Sequence, residues 1–135
     1  MVKVYLDADG AVLGRIGSVA CKELLKGKEV FIINAEKSII TGSRENVIGD
    51  ISHWKGLGGK GLKGPKVSRS VDRLMKRMIR GMLPWDRTKG REAFDRLRCF
   101  IGNGPLTAEE LKHVQKIEVK KPLKYITLTE VAKYI

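Results

Sequence analysis

Long apolar runs are missing from this sequence. The longest is Val30-Phe31-Ile32-Ile33, far short of the roughly 20 residues that cross a bilayer. The opening MVKVYLD holds no signal-peptide core. Cysteine is scarce, with only Cys21 and Cys99, far apart on apolar-patterned segments. Buried free thiols in a reducing cytosol are expected rather than a disulfide. Histidine is equally sparse. His53 and His113 stand alone, without Cys or acidic neighbours at ligand spacing, so neither a zinc site nor a Ser-His-Asp device is supported. No Gly-Lys-Ser/Thr occurs, which excludes the phosphate-binding P-loop. Neither an internal repeat nor a linker-bounded second domain is visible.

What is present is positive charge, and it is concentrated. The 135 residues carry a formal net charge of +12. Residues 52–98 hold 14 Lys and Arg against 4 Asp and Glu, a net +10 within about a third of the chain. Residues 1–51 are neutral overall, and residues 99–135 carry only +2. Such a concentration repels itself, and a polyanion relieves it. A pI near 9.9 leaves nucleic acid, an anionic membrane surface or an acidic protein as partner classes, with nucleic-acid phosphate the commonest. The scaffold is not a disordered tail. With 42% hydrophobic residues a chain of this length can bury roughly two-thirds of its unfolded surface, in one domain spanning residues 1–135. Glycine, at 15 residues, suggests places where backbone must approach something closely.

Along the chain, Val2, Val4 and Leu6 alternate with Lys3 and Tyr5 as in a strand, closed by Asp7-Ala8-Asp9-Gly10. Residues 12–26 place Ile16, Val19, Ala20 and Leu24 at helical spacing, with Gly27 set for the C-terminal cap. Residues 30–34 read as a strand covered on both faces. Strand, helix, strand makes a βαβ unit. A short extended piece follows at 38–42, then a helix from a Ser43 cap to about His53. Residues 55–66 form a Lys- and Gly-rich loop, expected to be mobile in isolation. The clearest helix begins at Ser68 or Ser70, with Val71, Leu74, Met75, Met78, Ile79 and Met82 on one face and Arg69, Arg73, Lys76, Arg77 and Arg80 on others. Gly81 and Pro84 end it. Residues 85–90 read as a loop, 91–97 as a helix and 98–101 as a strand. Thr107-x-x-Glu110 is a capping box. Residues 117–119 and 125–128 are candidate strands, and Thr129 is expected to cap a last helical turn. The order indicates α/β with a small, mostly parallel sheet.

Three motifs carry possible chemistry. Gly56-x-Gly58-x-x-Gly61 spells the dinucleotide fingerprint, but it follows no clear strand and opens no helix. A Gly- and Lys-rich loop can instead press backbone amides and point charges against phosphates. Asp7-x-Asp9 resembles the first motif of haloacid-dehalogenase-like Mg²⁺ phosphotransferases, yet the later acidic pair, lysine and hydroxyl do not follow. Turn-forming Asx residues account for it better. The stripe Arg69, Arg73, Lys76, Arg77, Arg80 is interrupted only by Asp72, whereas a merely solvated face usually mixes signs. Phosphate contact is the favoured reading. Trp54 and Trp85 flank this helix, and each can stack on a base or plug the core edge.

Several motifs together resemble the universal large-subunit ribosomal protein L-thirteen family. They are Asp7-Ala8-x-Gly10-x-x-Leu13-Gly14-Arg15; Leu24-Leu25-Lys26-Gly27-Lys28, followed by a strand and Asn34-Ala35-Glu36-Lys37; and Arg80-Gly81-Met82-Leu83-Pro84 with Gly90-Arg91-x-Ala93-x-x-Leu97. They stand in the family's order and cover most of residues 1–104. The chain looks like the archaeal form, without the N-terminal extension usual in bacterial members or the long helical C-terminus of eukaryotic ones. The resemblance implies a three-layer α/β/α fold with a parallel four-stranded sheet. It implies a structural and assembly role on large-subunit rRNA in cytoplasmic ribosomes, beside other large-subunit proteins. It implies no catalysis, cofactor, metal or small-molecule substrate. Contact with rRNA is expected at Arg15, Lys37, Trp54, Lys55, Lys60, Lys63, Lys66, Arg69, Arg73, Lys76, Arg77, Arg80, Arg87, Lys89 and Arg91.

The competing readings are a free-standing RNA regulator or chaperone with the same surface, which sequence does not separate from a ribosomal role, and the Mg²⁺ phosphotransferase. A membrane-surface role is weakest, because the basic helix turns its apolar face to the core.

Overall fold

The computed structural model describes residues 2–57, 67–117 and 122–135. Strand β1 (Lys3–Asp7), helix α1 (Leu13–Leu25) and strand β2 (Glu29–Ile33) form the expected βαβ unit, and β1 pairs with β2 in parallel from Lys3↔Glu29 to Asp7↔Ile33. A 3-10 turn (Ala35–Lys37), strand β3 (Ile39–Thr41) and helix α2 (Arg44–Gly56) follow. Helix α3 (Val71–Arg80), helix α4 (Thr88–Asp95) and strand β4 (Leu97–Cys99) come next. The chain then forms α5 (Ala108–Lys112), β5 (Gln115–Lys116), β6 (Tyr125–Thr127) and α6 (Leu128–Tyr134).

The main sheet has the order β4-β2-β1-β5 and all its pairings are parallel, which is the α/β class the element order indicated. A separate antiparallel ribbon pairs β3 with β6. Because side chains alternate across a strand, Val30 and Ile32 fall on one face with their register partners Val4, Leu6, Leu97 and Cys99. That face joins Ile16, Ala20 and Leu24 of α1 and Leu74, Met75 and Ile79 of α3 in one hydrophobic cluster. The opposite face carries Tyr5 stacked on Phe31 (5.4 Å) and Phe31 stacked on Phe100 (6.2 Å). Phe31 is only half-buried, so β2 is less fully covered than its apolar run suggested.

Several boundaries differ from those expected. Helix α2 runs to Gly56, past the expected end near His53, so Lys55 is helical rather than the start of a loop. Helix α4 opens at Thr88, inside the stretch read as a loop. Thr127, not Thr129, caps α6 by accepting from the Glu130 N–H; the Thr129 hydroxyl instead donates to the Glu36 carbonyl at 2.8 Å. Ser43 and Thr107 cap α2 and α5 as expected, accepting from Asn46 and Glu110 N–H groups. Met82, placed by period on the core stripe, is 42% exposed, with its sulfur lying against Gly17. The candidate strand at 117–119 lies mostly outside the described residues.

Candidate nucleic-acid interface

Helix α3 fixes the geometry of the cationic face. Leu74, Met75 and Ile79 are fully buried, and this anchors the helix rotation. Arg73 is thereby turned to solvent, and Lys76, Arg77 and Arg80 become half-buried at the margin. Those four residues line an open notch of about 280 Å³ whose far wall is Trp85 and Phe94.

Each half-buried cation of this set lies on an aromatic face. The Arg80 guanidinium is 4.0 Å from the Trp85 ring centre, the Lys76 ammonium 4.6 Å from Phe94, and the Arg77 guanidinium 5.4 Å from Trp54 at the end of α2. Trp85 and Phe94 meet edge to face at 5.2 Å and 89°. The Trp85 carbonyl accepts from Arg91 Nε at 3.0 Å, which ties α4 to the same corner. Cation–π contact of this kind contributes about 0.5–2 kcal/mol per pair. Among the described residues the only ion pairs are Lys26–Glu23 and Lys28–Glu23, at the far end of α1. The notch cations therefore have no carboxylate to balance them. Burial, and then the neighbouring Arg80, lowers the Arg77 pKa from its ordinary value. Beneath α3, burial pushes the Cys99 thiol up to about 12, opposed by Lys76 and helped by Asp72.

The remaining expected contacts divide. Arg69, Arg87, Lys89 and Arg91 are exposed around α3 and α4. Arg15 is exposed on the first turn of α1, and Lys37 is exposed at the end of the 3-10 turn. Neither lines the notch. The Lys55 ammonium is part-buried and donates to the backbone oxygen of Ile135 at 3.2 Å, so it has an intramolecular role. Lys60, Lys63 and Lys66 lie outside the described residues. Trp54 and Trp85 are both half-buried, each with a cation over its ring, an arrangement that neither reading of these rings anticipated. Phe94 packs partly against the hydrophobic cluster and also forms the notch wall. No local signal reveals that, because Lys76 and Trp85 reach it only through the fold.

The alternative chemistry finds no footing. Asp7 Oδ1 accepts from the Asp9 N–H at 2.9 Å and from Asn34 Nδ2 at 3.0 Å, which makes it a turn-holding residue. Among the described residues no group of three or more His, Cys, Asp or Glu side chains could hold a metal, and no helix is long and apolar enough to cross a membrane.

Fold and site together define a class: a small α/β protein that presents a row of cations along one helix, with no metal-holding cluster among its described residues. Comparison with known proteins then gives the family. The family model for Ribosomal protein L13 matches residues 2–105. The large ribosomal subunit protein uL13 of Archaeoglobus fulgidus is 41% identical, over 96% of this chain and 85% of its own length. That of Methanocaldococcus jannaschii is 38% identical over 96% and 95%, and that of Methanopyrus kandleri 42% over 94% and 82%. The chain belongs to the ribosomal protein L13 family, in its archaeal branch of relatives. The family is one of ribosomal structural proteins, not of enzymes.

Proposed function

We propose that this protein is a structural constituent of the large ribosomal subunit, working as one domain in cytoplasmic ribosomes. It binds large-subunit rRNA through the cationic face of α3, the start of α4 with Arg87, Lys89 and Arg91, and the Lys- and Gly-rich stretch that holds Lys60, Lys63 and Lys66, and so helps the subunit assemble beside its neighbouring proteins. The names of its relatives support the ribosomal part. The RNA part rests on one observation: four cations line a single notch with no carboxylate among the described residues to neutralise them. Phosphate neutralisation releases counterions, so affinity must fall with salt. RNA helices are recognised mostly by shape and backbone.

The test is binding to large-subunit rRNA fragments across a salt series. Affinity should drop steeply as salt rises, and a flat response would remove the mechanism. Arg73→Glu combined with Arg77→Glu should weaken binding at least about tenfold at moderate salt while the circular dichroism spectrum stays folded. Co-sedimentation with large subunits separates a ribosomal constituent from a free RNA regulator.

A further inference from the structure

The notch on α3 raises a question that rRNA binding alone does not answer: what the aromatic rings are for. Aromatic residues inside a basic patch are ordinarily taken as stacking platforms for bases. Here that use meets an obstacle. The Trp54, Trp85 and Phe94 rings each carry one of the protein's own cations, at 5.4, 4.0 and 4.6 Å from the ring centre. A base arriving at any of those occupied faces must first displace a charged group from a favourable contact. Trp85 and Phe94 also meet edge to face, which further restricts the open ring surface in the notch.

The geometry points to a phosphate seat: the notch holds backbone phosphates of an RNA strand, and Trp54, Trp85 and Phe94 are pedestals that pre-position Arg77, Arg80 and Lys76 rather than platforms for bases. This rests on the rRNA-binding reading above and names which part of the RNA enters the notch. The argument is one of ordering entropy. A free arginine or lysine side chain has about 2 kcal/mol of rotamer freedom to lose when it engages a ligand. A cation already laid on a ring has given up much of that freedom in the free protein, so less is lost on binding. Helical spacing sets Arg80 one turn from both Lys76 (i, i+4) and Arg77 (i, i+3), and the rings hold them there from three elements: Trp54 from α2, Phe94 from α4 and Trp85 from the turn before it. Burial, and then the like charge of Arg80, lowers the Arg77 pKa. An anion seated among these cations would relieve their mutual repulsion.

Both tryptophans of the chain lie in this assembly, so intrinsic fluorescence reads it directly in the wild-type protein. On titration with an rRNA fragment the emission should change little, since no base stacks on either indole. Trp85→Leu and Trp54→Leu should each weaken binding about three- to tenfold and flatten the plot of log affinity against log salt by roughly one phosphate contact. Trp85→Phe keeps a ring face under Arg80 and should restore both. Thermal unfolding of each variant establishes that it is folded. Strong quenching on RNA binding, or lost affinity with an unchanged salt slope, would mean that bases do stack and would overturn the pedestal assignment. So would leucine variants that bind with wild-type affinity and slope. Wild-type protein that fails to bind rRNA at all would instead overturn the parent reading, and this one with it.

Discussion

Gly90, in the first turn of α4, packs directly against the backbone carbonyl of Pro84; a side chain there would overlap the carbonyl group and press on the proline ring. This contact lets α4 fold back over the turn that ends α3, and so places Phe94 and Arg91 beside Trp85. Gly90→Ala should therefore destabilise the protein by about 1–3 kcal/mol, since backbone rather than a flexible side chain must move. Gly49 is the internal control. It lies within α2 with nothing near its missing Cβ, so Gly49→Ala should stabilise by about 0.5–1 kcal/mol. Urea midpoints of the two variants should shift in opposite directions.

Gly90 also marks where the sequence stops being readable. Between Pro84 and Arg91 a glycine looks like a loop residue, yet its reason is a long-range approach that only the folded chain reveals. The same holds at the end of α2, where Trp54 lies under Arg77 from α3 and the helix continues past His53. By contrast β1, α1, β2 and α3 lie close to where the sequence puts them, because their apolar patterns are strong. The short β5 pairs with β1 through only two residue partners, Leu6↔Gln115 and Asp7↔Lys116, and Gln115 and Lys116 are exposed. It carries no period to read. For the notch, charge clustering pointed to α3, and Arg73, Lys76, Arg77 and Arg80 of the cations named on it line the notch, whereas Arg69 does not. The aromatic partner of each cation depended on tertiary contacts and stayed hidden.

Asp7 gives a prediction about the turn that it holds. Its Oδ1 holds the Asp9 N–H and the Asn34 side-chain amide, and Asn34 sits at a left-handed φ of 56°. Asp7→Ala removes both acceptor contacts and should cost about 1–3 kcal/mol. Asp7→Asn keeps an acceptor oxygen and should cost clearly less. Thermal denaturation compares the two, and equal losses would show that charge rather than hydrogen bonding holds the turn.

The C-terminal segment is fastened at two threonines with different tasks. Thr127 caps α6, so Thr127→Ala should cost about 1 kcal/mol. Thr129 donates to the Glu36 carbonyl across the fold, and Thr129→Ala should cost about 0.5–1.5 kcal/mol. Thr129→Ser keeps the donor and should stay near wild type. Hydrogen exchange at Lys37 and Ser38 should quicken in Thr129→Ala more than in Thr127→Ala, because only the former releases the 3-10 turn.

Alkaline stability should report on Cys99. Burial pushes its thiol from an ordinary value of 9.0 up to about 12, and Cys21 shifts in the same direction. The neutral thiol is thus the form that the folded state accommodates. Below about pH 9 both folded and unfolded chains hold the proton, and the full contribution to stability is present. As pH rises beyond that, the unfolded chain ionises first and is favoured, so stability falls until the folded thiol also titrates near 12. Urea midpoints of the wild type should be level between pH 7 and about pH 8.5 and decline above it. The informative quantity is the difference from Cys99→Ala. The variant should start lower at pH 7, through the small cavity left behind, and then lose less with rising pH. The two curves should converge toward pH 11; curves that stay parallel would show that the Cys99 thiol does not drive the alkaline loss.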